Sequence, residues 1–244
     1  MPTVSITSGT IEYVEAGKGT PLILLHGGTG SIQEWGSCID HFATKYRVIA
    51  YNRRGYGGSS PRCHFSEDFF REDVEDLAAI LDVLGIFTPV LLCAFSDGGT
   101  VALIFAATFP ERTRAMVCAG GHIYVDEKAL RGLLRAKRVL DNRLQQKGRK
   151  ETAQVRSQRA WFDRWLHPDF KPFSIEDKMG RIKCPTLVVQ GMEDEYAEPS
   201  HAQRIAKGIS NAQLWLVEGA RHWVHGGEHK DLFQERAMAF LDGH

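Results

Sequence analysis

The sequence predicts a doubly wound α/β protein: a mostly parallel sheet with helices on both faces and a helical insertion in its second half. Three observations predict it. Short apolar runs alternate with helix-length segments through most of the chain, the pattern of a parallel sheet covered on both sides. Several of these runs, such as 21–25 and 90–94, are continuously apolar, as strands buried on both faces should be. From about residue 122 to residue 177 the alternation stops, helical spacing takes over and basic residues accumulate.

The elements follow in order. Residues 3–7 and 11–15 alternate around Ser8-Gly9-Thr10 and read as an antiparallel hairpin at a sheet edge. Residues 21–25 form a buried strand that ends in His26-Gly27-Gly28-Thr29-Gly30, and 32–42 reads as a helix. A strand over 46–51 closes in the glycine-rich turn Asn52-Arg53-Arg54-Gly55-Tyr56-Gly57-Gly58-Ser59. Residues 69–84 are strongly amphipathic and helical. A strand over 90–94 runs towards Ser96, a helix follows over 98–109, and a strand over 114–119 ends at Gly120-Gly121. After the insertion come a strand over 186–190, a helix over 199–208, a strand over 213–217 and a helix over 228–241. Residues 1–121 and 178–244 are therefore expected to form one core. Residues 122–177 are expected to be a helical cap, because too few residues flank them to make separate sheets. No internal repeat or low-complexity tract is visible.

A chain of 244 residues can bury a large core as a single α/β unit. Basic and acidic residues balance at 30 each, which favours neither nucleic acid nor a membrane as partner. The balance hides an asymmetry: between 128 and 164, twelve basic residues face three acidic ones. That stretch is either a solvated helical face or a means of steering anionic substrates. The five cysteines are odd in number and lack metal-ligand spacing, which points to a reducing, cytoplasmic setting without a disulfide framework. The N-terminus has no basic and apolar signal pattern, so no signal peptide is expected. No apolar run approaches the roughly 18–20 residues of a membrane helix.

Ser96 sits between a strand-like and a helix-like segment, with Ala94 two residues before it and Gly98 two after. A sharp strand–serine–helix turn needs small residues at both positions, because strand and helix approach closely there. Alone, the pentapeptide reads more readily as a polar turn or a helix cap; the apolar strand before it and the helix after it reverse this in favour of the sharp turn. A serine hydroxyl becomes a nucleophile only beside a base, and the base needs a group that holds its tautomer. In doubly wound sheets such groups gather beyond the C-terminal ends of the strands. The strand over 186–190 ends in Gly191-Met192-Glu193-Asp194-Glu195, and the last strand ends in Glu218-Gly219-Ala220-Arg221-His222-Trp223. Ser96, Asp194 and His222 are thus the candidate nucleophile, acid and base, with Glu193 and Glu195 competing for the acid position. Backbone N–H groups of Asp97, at a helix start, and of Gly28 are the candidate donors to a developing oxyanion. The Gly28 segment also serves as an ordinary strand-to-helix turn. No dinucleotide fingerprint, phosphate loop or metal-spaced cluster is present, so no cofactor and no metal are expected.

These residues together resemble the α/β-hydrolase family over essentially the whole chain. The marks are His26-Gly27-Gly28, the turn from Asn52 to Ser59, the elbow at Ser96, Gly191-x-x-Asp194 and His222-Trp223. The chain has Ala94 where the family usually has Gly, and Asn52 where the turn usually begins with Asp. The resemblance implies ester hydrolysis through an acyl-enzyme, with a small-molecule ester as the partner. Within the family the chain looks most like the valacyclovir hydrolase (biphenyl hydrolase-like) group, through Phe95-Ser96-Asp97-Gly98-Gly99, Tyr124-Val125-Asp126-Glu127 and Glu218-Gly219-Ala220-Arg221-His222. In that group the acid after the nucleophile binds the substrate's α-amino group, and Asp97 occupies the matching position. Read from the residues, Asp97 faces a substrate ammonium, faces a cap arginine, or favours the helix N-terminus. Trp161, Phe162 and Trp165, at helical spacing, pack the cap on the core; Trp161 and Trp165 are also candidate walls of a substrate pocket. Carbon–carbon bond or enol-lactone hydrolysis on the same three residues is an alternative, as is a hydrolase-fold ligand receptor with little turnover.

The lack of any metal pattern generates a first prediction. Hydrolysis of an activated ester should survive exhaustive treatment with a chelator. A loss that added zinc restored would contradict it.

Overall fold

The continuously apolar runs become the centre of a single sheet. The computed structural model describes residues 1–147 and 152–244. Its strands are β1 (Thr3–Ile6), β2 (Gly9–Ala16), β3 (Pro21–Leu25), β4 (Arg47–Tyr51), β5 (Val90–Phe95), β6 (Thr113–Ala119), β7 (Thr186–Gly191) and β8 (Ala212–Val217). They lie side by side in the order β1-β2-β4-β3-β5-β6-β7-β8. The hairpin β1–β2 is antiparallel and β2 joins β4 antiparallel, whereas β3 to β8 run parallel.

The helices are α1 (Ser37–Ala43), α2 (Phe69–Val83), α3 (Asp97–Thr108), α4 (Glu127–Lys147), α5 (Ala153–Trp165), α6 (Pro199–Gly208) and α7 (Lys230–Asp242). Alternate strand residues feed two cores, one on each face of the sheet. Ile23 and Leu25 of β3 pack with Leu77 and Ile80 of α2, Phe105 of α3 and Ile205 of α6. Leu22 and Leu24 pack with Phe42 of α1 and Phe233 and Leu241 of α7 on the other face. Residues 97–107 of α3 are all buried, as expected of a helix that is apolar on every side.

The helix predicted over 32–42 is broken. A 3-10 turn, Ile32–Trp35, precedes α1, and Gly36 between them adopts φ +43. The apolar spacing runs on across the break because Trp35, Cys38 and Phe42 all reach the same core. The last helix likewise begins as a 3-10 turn, Gly227–His229, before α7.

Between β6 and β7 the chain supplies α4, α5 and the 3-10 turns Pro168–Phe170 and Glu176–Arg181. One isolated β-bridge, Tyr124 to Ser174, joins the two ends of this segment, where no extended pairing was expected. Residues 148–151 of the basic stretch lie outside the described residues. Within the rest, Lys137 pairs with Asp141 at 3.3 Å and Asp163 at 3.6 Å, and Arg159 pairs with Asp141 at 3.2 Å. Such partly exposed pairs contribute little to stability. Aromatic burial contributes more. Trp165 of α5 meets Phe70 of α2 edge-on at 6.0 Å, and Phe170 lies 5.6 Å from Phe69 and stacks on Phe173 at 4.8 Å.

Phe170 is 3% exposed at the centre of this cluster. Phe170→Ala should therefore cost about 3–5 kcal/mol of unfolding free energy, measured by urea denaturation. A loss below about 1 kcal/mol would show that the docking of residues 122–177 does not depend on the cluster.

Candidate active site

Ser96 connects β5 to α3 with φ +54 and ψ −123, and among the described residues it is the one non-glycine with positive φ. Such a backbone costs energy and persists only where its surroundings fix it. The Ser96 N–H donates to the Ala119 carbonyl at the end of β6 at 2.8 Å, and its own carbonyl accepts the Thr100 N–H at 3.0 Å. A β-carbon on Gly98 would run into the carbonyls of Leu25 and His26, so the helix approaches β3 this closely only with glycine there. The methyl of Ala94 is accommodated and fully buried.

The strand ends bring the three predicted side chains together. Ser96 Oγ lies 2.9 Å from His222 Nε2, and His222 Nδ1 lies 2.6 Å from Asp194 Oδ2. Asp194 follows β7 and is locked in place: its Oδ1 accepts the N–H groups of Tyr196 at 2.7 Å and Ala197 at 3.0 Å, while Gln190 of β7 donates to Oδ2. The competing acids stand elsewhere. Glu193 is exposed. Glu195 accepts the backbone N–H of His222 at 3.1 Å and pairs with Arg221 at 3.0 Å. Burial opposes charge on both Asp194 and His222, but each stabilises the other's ion. Asp194 is held below the usual carboxylate range, and His222 is raised above an ordinary imidazole.

The loop after β3 is fixed from several sides. Glu34 Oε2 accepts the Gly27 N–H at 2.7 Å, and Arg53 Nη2 donates to the Gly27 carbonyl at 2.9 Å. His26 Nε2 accepts the Arg53 N–H at 3.0 Å, which leaves Nδ1 as the donor to the Gly27 carbonyl at 2.8 Å. The Tyr56 hydroxyl donates to the Gly28 carbonyl. With Gly27 N–H engaged, Gly28 N–H is the next donor along the loop. Gly27 packs against the elbow itself: a β-carbon there would stand 3.2 Å from Ser96 Cβ.

Asp97 opens α3 and is 1% exposed. Its Oδ2 accepts the Trp161 indole N–H at 2.6 Å, and Arg53 Nη2 lies 3.9 Å away. The arginine facing Asp97 therefore comes from the turn after β4 and not from the insertion; the guanidinium is fixed there by Asp73 at 2.7 Å. Burial pushes the Asp97 carboxyl up to about 6, against the pull of Arg53 and the indole.

These groups surround a cavity of about 370 Å³. Ser96, Asp97, Gly28 and His222 line it from the core, and Leu133, Trp161, Phe162 and Trp165 line it from α4 and α5. Three further titratable residues on its wall were not singled out from the sequence. Glu34 sits in the 3-10 turn of the predicted helix, and no spacing rule marks it. His122 follows Gly120-Gly121 after β6, a strand end like those of Asp194 and His222, and the same rule applied there would have found it. Burial and the neighbouring His201 and His222 lower His122 to about 3, so it is neutral. Tyr196 lies two residues beyond Asp194. Among the described residues, no group of three or more His, Cys, Asp or Glu is placed to hold a metal ion, and no helix is long and apolar enough to cross a membrane.

A family model described as the alpha/beta hydrolase fold matches residues 20–144. Human serine hydrolase BPHL is 30% identical over 254 residues, covering 98% of this chain and 85% of that protein. The chain belongs to the α/β-hydrolase fold family. A second relative of this hydrolase is the 2-hydroxy-6-oxononadienedioate/2-hydroxy-6-oxononatrienedioate hydrolase of Paraburkholderia phymatum, 30% identical over 264 residues and covering 95% of this chain and 90% of that one. The crystal structure of the enol-lactonase from Burkholderia xenovorans has the same fold, with a TM-score of 0.79 at 18% identity over 99% of this chain and 100% of that one.

The geometry of the hydrolase around His222 makes a spectroscopic prediction. NMR titration should place the His222 pKa above that of a free imidazole, and Asp194→Asn should bring it down, because the carboxylate that stabilises the imidazolium is gone. An unchanged His222 titration in Asp194→Asn would remove Asp194 as its partner.

Proposed function

We propose that this hydrolase cleaves small carboxylic esters through an acyl-enzyme, with Ser96, His222 and Asp194 as its catalytic triad. The observation that supports this most directly is the unbroken hydrogen-bonded chain Ser96–His222–Asp194 opening onto the cavity. In this reading Ser96 Oγ attacks the ester carbonyl as its proton passes to His222 Nε2. Asp194 keeps the imidazole oriented and stabilises its cation. The N–H groups of Asp97 and Gly28 receive the oxyanion; loss of one such donor typically costs about 3–4 kcal/mol of transition-state stabilisation. His222 then protonates the departing alcohol, and a water activated by the same imidazole releases the acid. Residues 122–177 act as the cap, with Trp161 and Trp165 forming the apolar wall against the bound ester.

The charge of the cavity bears on the substrate. Glu34, Asp97 and Glu195 line it, and among the described lining residues there is no lysine or arginine. A wall of one sign raises the local concentration of the opposite ion. We therefore assign a preference for esters that carry a cation, such as amino-acid esters. The name of the Paraburkholderia relative favours a second reading, cleavage of a carbon–carbon bond on the same triad. A dicarboxylate substrate would meet these acidic residues and no lysine or arginine among the described lining residues, so the ester reading is preferred. The partner in this proposal is a small molecule and neither nucleic acid nor membrane. Five free cysteines, four of them buried, fit a cytoplasmic location.

Ser96→Ala should fold normally and lose activity on p-nitrophenyl esters by up to about a million-fold, because triad members act as a unit. A fluorophosphonate should label wild type at Ser96. Retention of most esterase activity in the variant, or labelling elsewhere, would overturn the assignment. Turnover of a vinylogous 1,5-diketone acid in preference to every ester tried would favour the second reading.

A further inference from the structure

Of the three carboxylates that line the cavity, Glu195 pairs with Arg221, and the other two, Asp97 and Glu34, differ in their surroundings. Asp97 is already engaged by the Trp161 indole N–H and faces the Arg53 guanidinium, so its charge is largely answered within the protein. Glu34 is not answered in this way. It lies deep in the molecule yet keeps accessible surface, and it lines the cavity, so that surface belongs to the cavity wall. Its Oε2 accepts the Gly27 N–H at 2.7 Å. Among the described residues Oε1 takes no hydrogen bond, and no lysine or arginine stands within ion-pair distance of the carboxylate.

The charges that act on the Glu34 carboxyl are those of His222, Arg53 and Asp97, and His225, held neutral by burial, lies against the Glu34 backbone. His222 is committed to Asp194 and Ser96, and Arg53 to Asp73 and the Gly27 carbonyl. Burial pushes the Glu34 carboxyl up to about 7, against the Gly27 N–H and the pull of His222 and Arg53, neither of which pairs with it directly. A carboxylate in this situation favours any cation that can reach it, because the cation supplies the missing charge in a poorly solvated place.

Position adds to this argument. The α-ammonium group of an amino-acid ester is two bonds from the carbonyl carbon, so it must lie near the donors that receive the carbonyl oxygen. Glu34 grips the peptide N–H immediately before Gly28 and so stands on that side of the nucleophile. We infer that Glu34, and not Asp97, receives the ammonium group of a cationic ester substrate. This rests on the preference for cationic esters proposed above and names the residue that produces it.

The test compares kcat/KM for leucine ethyl ester and N-acetylleucine ethyl ester in wild type, Glu34→Gln and Asp97→Asn. Gln keeps an oxygen for the Gly27 N–H, so the loop keeps its clamp while the charge is lost. Wild type should prefer the free amine by about ten- to a hundred-fold, the worth of one charge-assisted hydrogen bond. Glu34→Gln should bring the ratio close to one. Asp97→Asn should leave the ratio within about two-fold of wild type, since the carboxylate that reads the ammonium is unchanged. If Asp97→Asn abolishes the preference and Glu34→Gln keeps it, Asp97 is the reader: the inference fails and the amino-ester reading stands. Equal rates for the two esters in wild type remove both together. Should Glu34→Gln not fold, Asp97→Asn still decides, because loss of the preference there overturns the role of Glu34 and a preference kept there excludes Asp97 as the reader.

Discussion

The guanidinium of Arg53, 1% exposed, is where three parts of the molecule meet. Its Nη1 donates to Asp73 of α2 at 2.7 Å, its Nη2 donates to the Gly27 carbonyl of the loop after β3 at 2.9 Å, and Asp97 at the start of α3 lies 3.9 Å away. Asp73 is shared with Arg62 at 2.6 Å, which in turn reaches Glu72. Burying a charge this completely is expensive unless partners surround it, and here they do. The same partners then depend on the arginine. Without it Asp73 would keep half its pairing, Asp97 would lose its nearest cation, and Gly27 would lose the donor that orients its carbonyl. The elbow, the loop that faces it and the helix behind it are held in one frame through this side chain.

The fold was legible because its periods are strong. Continuous apolar runs marked the parallel strands, and α2 and α3 announced themselves by length and by the apolar residues they bury. Boundaries moved by one or two residues, since strand ends such as Phe95 and Gly191 are fixed by cross-strand partners, Ala119 and Val217, that no local pattern records. The break at Gly36 was hidden for a related reason. Trp35 and Cys38 satisfy helical spacing on either side of it, and the turn is set by the glycine's backbone, not by what the neighbouring side chains bury.

The candidate site was legible where its residues stand at strand ends. Ser96, Asp194 and His222 were each placed by the same topological argument, and the structure brings them within hydrogen-bonding distance of one another. What the sequence left open was the choice among Glu193, Asp194 and Glu195. Adjacent residues after a strand point in different directions, and it is the N–H groups of Tyr196 and Ala197 that turn Asp194 inwards. Glu34 and Arg53 were not legible as site residues. Each acts on Gly27 from a distant point in the chain, seven and 26 residues away, and looks locally like a helix-surface acid or a turn residue.

Trp161 joins the segment between β6 and β7 to the helix that begins just after Ser96. Its indole N–H occupies Asp97, and its ring lies where a side chain on Gly28 would have to stand. One residue of α5, away from the strand ends that hold Ser96, Asp194 and His222, thereby bears on both the shape and the polarity of the cavity. In evolutionary terms the position is a gateway. One nucleotide change that replaces the indole by a smaller side chain without a donor would enlarge the chamber and bare the Asp97 carboxylate at once. The sheet and its strand-end residues would be untouched, so new substrates become reachable by a single step while the inherited machinery is kept.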